Sequence, residues 1–207
     1  MPPSLPPPIL YAITSGATNN KTTPDDDEFN RILTLVEAAV EAEVSLVQIR
    51  EKALSVRVLY ELIRRAAAIT SGSVTRLLAN DRFDVARAAG ADGVQLTAAS
   101  LSPRVVRDIC GAEFLIGAST HSLEAAQAAR ASGADFVVFG PVFETESKIA
   151  FGPPQGLEKL LEVAAELEGF PVIAIGGITL DNAEKCFAAG ASGIAAIKMF
   201  DVFNQAT

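Results

Sequence analysis

The residues best suited to chemistry in this 207-residue chain stand at the ends of short apolar runs. Leu46–Ile49 carries Gln48 and is followed by Arg50-Glu51-Lys52; Arg76–Ala79 leads to Asn80-Asp81. Gly93–Gln95 offers Gln95, then Thr97 and Ser100, and Phe114–Ala118 leads to Ser119 and His121. The run from Phe136 ends in Gly140-Pro141 and reaches Thr145-Glu146-Ser147-Lys148; Val172–Ile175 ends in Gly176-Gly177; the last run ends at Ile197-Lys198. Arg50, Lys52 and Lys148 are cations, and the others add hydroxyl, amide and glycine N–H donors, a set suited to phosphoryl groups. Asp81 is a carboxylate at such an end, suited to a hard cation such as Mg²⁺ bridging phosphates. His121 is the single histidine, and imidazole is the side chain best matched to proton transfer near neutral pH. Read without reference to any family, these groups describe a pocket for one or two phosphate-bearing small molecules.

Plainer roles compete at each position. Arg50 and Lys52 could be solvated loop charges. Asn80-Asp81 could cap the following helix, and His121 could simply precede one, since Ser122-Leu123-Glu124 reads as a helix start. Gly176-Gly177 could be a tight turn. Its functional reading is a strand end where backbone N–H groups meet an anion without a Cβ in the way. Thr179–Asn182 then reads as the next helix start, with Thr179 or Asp181 as N-cap.

What places these residues together is the alternation of elements. The strand candidates lie near Ile9, Leu46, Arg76, Gly93, Phe114, Phe136, Val172 and Gly193. The 172–175 run is too short for a helix and apolar on both faces, the pattern of a strand buried in a parallel sheet. Helical spacing fills the intervals, as in 28–43, with Phe29, Ile32, Leu33, Val36 and Val40, and in 56–69. A helix-to-strand joint recurs as Gly90-Ala91-Asp92, Gly133-Ala134-Asp135 and Gly190-Ala191-Ser192, glycine supplying the left-handed helix end. Strict βα alternation with eight strands predicts an α/β fold: a single (β/α)₈ TIM barrel of eight parallel strands over 9–207, behind a proline-rich tail, 1–8. An open doubly wound sheet is the alternative, but Thr14-Ser15-Gly16 is not a dinucleotide fingerprint. In a barrel, the polar ends of the runs share one rim. The segment 15–27 is rich in Thr, Asn and Asp and has the composition of a mobile loop.

Composition narrows the partners. A net charge of −8 argues against nucleic acid or an anionic membrane surface, which attract basic faces. Cys110 and Cys186 are far apart without ligand spacing, as expected of reduced thiols in a cytosol. Met1–Pro8 lacks the basic residues of a signal peptide, and no apolar run reaches membrane-spanning length. The expectation is a soluble, cytoplasmic protein with small phosphorylated substrates, for which a homodimer is an allowed state.

Taken in order, Gln48-Ile-Arg-Glu-Lys52, Asn80-Asp-Arg82, Ala91-Asp-Gly-Val94, Gly133-Ala-Asp135, Gly140-Pro-Val-Phe143 and Ile175-Gly-Gly-Ile178 resemble the thiamine-phosphate synthase/TenI family. The resemblance spans Ile9 to Met199 and implies a (β/α)₈ barrel of thiamin biosynthesis. It implies a synthase joining hydroxymethylpyrimidine diphosphate to thiazole phosphate. Diphosphate would leave, a pyrimidine cation would form, and the thiazole nitrogen would capture it. By motif position Gln48, Lys52 and Asn80 would hold the pyrimidine diphosphate, Asp81 would bind Mg²⁺, and Ser119 and Lys148 would complete the diphosphate cradle. Gly177, beside Gly176 and with the backbone around Ile197-Lys198, would hold the thiazole phosphate, Thr145 and Ser147 lining that side.

The chain departs from the synthase pattern at instructive places. Synthases usually read His-Leu-Gly-Gln-x-Asp after the fourth strand; here Gln95-Leu-Thr-Ala-Ala-Ser100 puts a hydroxyl where the second Mg²⁺ carboxylate stands, and a hydroxyl is the poorer ligand. Ser15 occupies an acidic position, and Lys198 lies where serine is common. These changes resemble the thiazole tautomerase branch, in which Ser119-Thr-His-Ser-Leu-Glu124 would make His121 the acid/base without a metal. Lys52 and Asp81 favour the synthase. A non-catalytic binder of thiazole or thiamine phosphate is the third reading.

Overall fold

The computed structural model describes residues 5–145 and 153–197. Ser147, Lys148 and Lys198 lie outside the described residues. Eight strands close into a barrel: β1 (Ile9–Ile13), β2 (Leu46–Ile49), β3 (Arg76–Asn80), β4 (Gly93–Leu96), β5 (Leu115–Thr120), β6 (Phe136–Phe139), β7 (Val172–Ile175) and β8 (Gly193–Ala196). The helices among the described residues are α1 (Asp27–Glu41), α2 (Val56–Thr70), α3 (Phe83–Ala89), α4 (Pro103–Cys110), α5 (Leu123–Ala131), α6 (Gly156–Glu166) and α7 (Ala183–Ala188). Each strand pairs in parallel with its sequence neighbour, and Leu10 opposite Ile194 closes β1 onto β8. That closure eliminates the open doubly wound sheet.

The lower end of the barrel repeats itself. At Gly90, Gly133 and Gly190 the chain turns left-handed with φ of 82°, 91° and 83°. The next N–H donates back five residues, Ala91 to Ala86 O, Ala134 to Ala129 O and Ala191 to Cys186 O. One residue later a side chain reaches the neighbouring strand: Asp92 accepts from Leu77 N (2.8 Å), Asp135 from Ile116 N (2.7 Å) and Ser192 from Val172 N (3.4 Å). The structure adds a fourth copy that the glycine pattern hides. Glu43 takes the left-handed turn at φ 52°, Val44 N donates to Ala39 O, and Ser45 Oγ accepts from Leu10 N. So every even-numbered strand is entered through the same joint, and each joint pins the odd strand before it.

Within the barrel, Ile9, Tyr11, Ile13, Leu46, Leu78, Leu115, Phe136, Val138, Ile173 and Ala195 form the central core. Tyr11 meets Phe136 edge-on, with ring centroids 6.0 Å apart. Gly117 makes that possible, because a Cβ there would collide with the Phe136 ring and Gln95 Oε1. Leu5, from the proline-rich tail, packs half-buried against this core from below. Apolar helix faces cover the outside of the strands, so both sheet faces are dry.

Candidate active site

Polar side chains take over from the apolar core in its uppermost layer. Tyr11 Oη, fully buried, lies 3.3 Å from Gln48 Oε1 and 3.2 Å from Gln95 Oε1, its one proton shared between two acceptors. Gln48 Nε2 donates to Asn80 Oδ1 (3.1 Å), and Gln95 Nε2 donates to Ser119 Oγ (3.0 Å). The result is one hydrogen-bonded chain, Asn80–Gln48–Tyr11–Gln95–Ser119, drawn from five strands. Burial pushes the Tyr11 phenol well above its ordinary range, so it stays a neutral donor. Gln48, Asn80 and Ser119 thus share one floor, as the strand-end reading expects.

The β2 end supplies the cations. Arg50 is half-buried and Lys52 exposed. Between them Glu51 is only 3 % exposed. Its carboxylate accepts from Gly16 N (3.0 Å), Thr18 N (3.1 Å) and Thr18 Oγ1 (2.6 Å). The loop after β1, read as mobile from its composition, is therefore tied down, with Thr18 and Thr22 buried.

At the β3 end Asp81 stands in a left-handed conformation, φ 64°, its N–H donating to Gln95 O (2.9 Å). The α3 N-cap position is Arg82, with no side-chain cap, so the exposed Asp81 carboxylate does not serve as that helix's cap. Ser100 is drawn into its own turn: its Oγ accepts from Thr97 N (2.8 Å) and lies 3.0 Å from Thr97 Oγ1. Among the described residues no group of three or more His, Cys, Asp or Glu is placed to hold a metal ion.

His121 follows β5, exposed, with Nδ1 against Gly140 O. A carbonyl can only accept, so Nδ1 carries the proton and a neutral ring leaves Nε2 free to take one. Thr145 lies half-buried beyond β6.

The Gly176-Gly177 turn is closed on one side by protein. Both glycines have positive φ, 98° and 63°, but the space a Cβ would take is filled by Pro141, Phe143 and Glu144 of the loop after β6. Val142 N donates to Ile175 O and Phe143 N to Gly176 O, extending the ladder past the strands. These glycines admit a neighbouring backbone. Nor does 179–182 begin a helix; it is a turn held by Thr179 N to Asn182 Oδ1 (2.8 Å) and Asn182 Nδ2 to Gly177 O (2.9 Å). The α7 N-cap is Asn182, not Thr179 or Asp181.

The sequence profile of a known family, thiamine monophosphate synthase, matches residues 11–200. The chain belongs to this family. A thiamine-phosphate synthase of Methanoculleus marisnigri is 40% identical over 188 residues, 91% of this chain and 85% of that one. A Geobacter sulfurreducens protein, provisionally named a thiamine-phosphate synthase, is 46% identical over 166 residues, 80% of this chain and 78% of its own. The solved thiamine phosphate pyrophosphorylase of Pyrococcus furiosus superposes with a TM-score of 0.77 at 32% identity, covering 95% of this chain and 92% of that one.

Within this family fold, Tyr11 and Glu51 escaped selection from sequence, whereas Gln95 was among the polar residues read at the strand ends. Tyr11 had a signal: in Ile9-x-Tyr11-x-Ile13 it faces the barrel axis by period-two alternation. Glu51 had none, being one charge among three.

Proposed function

We propose that this member of the family joins hydroxymethylpyrimidine diphosphate to thiazole phosphate and releases diphosphate. The observation carrying this reading is the neutral chain Asn80–Gln48–Tyr11–Gln95–Ser119 beside the cationic end of β2. Amides and hydroxyls satisfy the edge of a heteroaromatic ring without fixing a charge against it, whereas Arg50 and Lys52 suit the diphosphate. Lys148 would join them, and Gly177, Thr145, Ser147 and Lys198 would serve the thiazole phosphate. The C–O bond to diphosphate breaks with its electron pair leaving on oxygen, and the thiazole nitrogen supplies the pair for the new C–N bond. A cationic rim lowers that barrier by stabilising the charge on the leaving group.

The donor set fits Mg²⁺ as a partner of the substrate. One exposed carboxylate, Asp81, stands at the β3 end, and Mg²⁺ commonly binds through one or two carboxylates plus substrate phosphates. Asp81 would hold the ion, and bound Mg²⁺ would neutralise diphosphate charge. Such an enzyme works on small phosphorylated compounds, and a cytoplasmic location is part of this proposal. No helix among the described residues is long and apolar enough to cross a membrane.

A second reading, thiazole tautomerase, is favoured by one feature: His121 with Nε2 free at the same rim. The two separate in a His121→Ala variant. The transferase reading predicts that diphosphate release from the paired substrates persists. No diphosphate release from the parent chain, together with metal-independent isomerisation of a thiazole phosphate carboxylate that the variant loses, would establish the tautomerase instead.

A further inference from the structure

We infer that Glu51 is a positioning residue: it locks the loop after β1 so that this loop holds the Arg50 guanidinium at the mouth. A buried carboxylate is costly unless every lone pair direction finds a donor. Glu51 is almost fully buried and receives two backbone N–H groups and a hydroxyl from Gly16 and Thr18. Although it sits between two cations in sequence, it forms no ion pair with Arg50 or Lys52. Its charge is directed to the loop instead.

The loop in turn defines where Arg50 can be. Thr14 Oγ1 accepts from Arg50 N at 2.8 Å. Gly16 lies so close that an added Cβ would stand 3.3 Å from Arg50 O and 3.5 Å from its Nη1. Both the main chain and the guanidinium of Arg50 are thus walled by residues that Glu51 anchors. The inference rests on the transferase reading for the identity of the anion, a diphosphate.

The test is titration calorimetry of inorganic diphosphate with Mg²⁺ into the full chain, with a thermal melt for each variant. Glu51→Gln keeps the shape but turns an N–H₂ toward a backbone N–H. The expected result is about tenfold weaker binding, the scale of one lost charge-assisted hydrogen bond. The sign is diagnostic. Removing a negative charge beside an anion site would by itself tighten binding, so weakening reports lost geometry. Thr18→Val, which keeps the carboxylate, should weaken binding in the same direction by a smaller factor. In an Arg50→Met background Glu51→Gln should have no further effect. Unchanged or tighter binding in both Glu51→Gln and Thr18→Val, or an equal loss with Arg50 already removed, overturns the inference while leaving the transferase reading intact. A parent chain that binds no diphosphate overturns both.

Discussion

The two ends of this barrel are built on opposite plans. The lower end is repetitive: four joints share one left-handed turn, one backbone hydrogen bond and one side-chain acceptor. Arg107 reinforces it by donating to Gly111 O, Phe114 O, Gly133 O and Asp135. The upper end repeats only the paired glutamines on either side of Tyr11. Five side chains of four types make its floor, a carboxylate loop-tie flanks it, and Asp81 holds an uncommon backbone conformation. Repetition closes the sheet, whereas unlike groups at the strand ends offer distinct chemistry, the division expected of the fold.

Substitutions at the two ends should therefore separate stability from activity. Asp135→Ala leaves the Ile116 N–H without its acceptor and removes the counter-charge of Arg107, which keeps its three carbonyls; it should cost about 3 kcal/mol by chemical denaturation, with little change in kcat/KM of the folded fraction. Comparable loss of kcat/KM without loss of stability would contradict the division. Lys52→Met should do the reverse. An exposed cation contributes little to folding, within about 0.5 kcal/mol, yet its loss from a diphosphate site should lower kcat/KM about 100-fold, or about 2.7 kcal/mol.

Smaller effects sharpen the contrast. Asp81→Gly relieves a left-handed non-glycine position, so stability should hold or rise by about 0.5 kcal/mol, while Mg²⁺-dependent turnover falls about tenfold. Glu43→Gly makes the same relief at the lower end. There the unfolding free energy should rise by a similar ~0.5 kcal/mol and the kinetics should not move.

The barrel was legible because buried parallel strands and glycine-ended helices are written locally, in runs such as Val172–Ile175 and Gly90-Ala91-Asp92. The fourth joint was not, because Glu43 uses a conformation its side chain does not advertise. At the mouth Gln48, Asn80 and Ser119 were legible as strand ends, and the structure links them. The link through Tyr11 spans 84 residues to Gln95, a separation that no local pattern encodes. Gly176-Gly177 was legible in part for a related reason. A pair of glycines signals close approach, but not what approaches; the loop after β6 fills the side where a Cβ would stand.

The most direct measurement is product stoichiometry from the purified chain, given both phosphorylated substrates, with Mg²⁺ or with EDTA. The account predicts diphosphate and thiamine phosphate in equal amounts, only when both substrates are present, and suppression by EDTA. Isomerised thiazole phosphate carboxylate, formed equally fast in EDTA and without diphosphate, would contradict it.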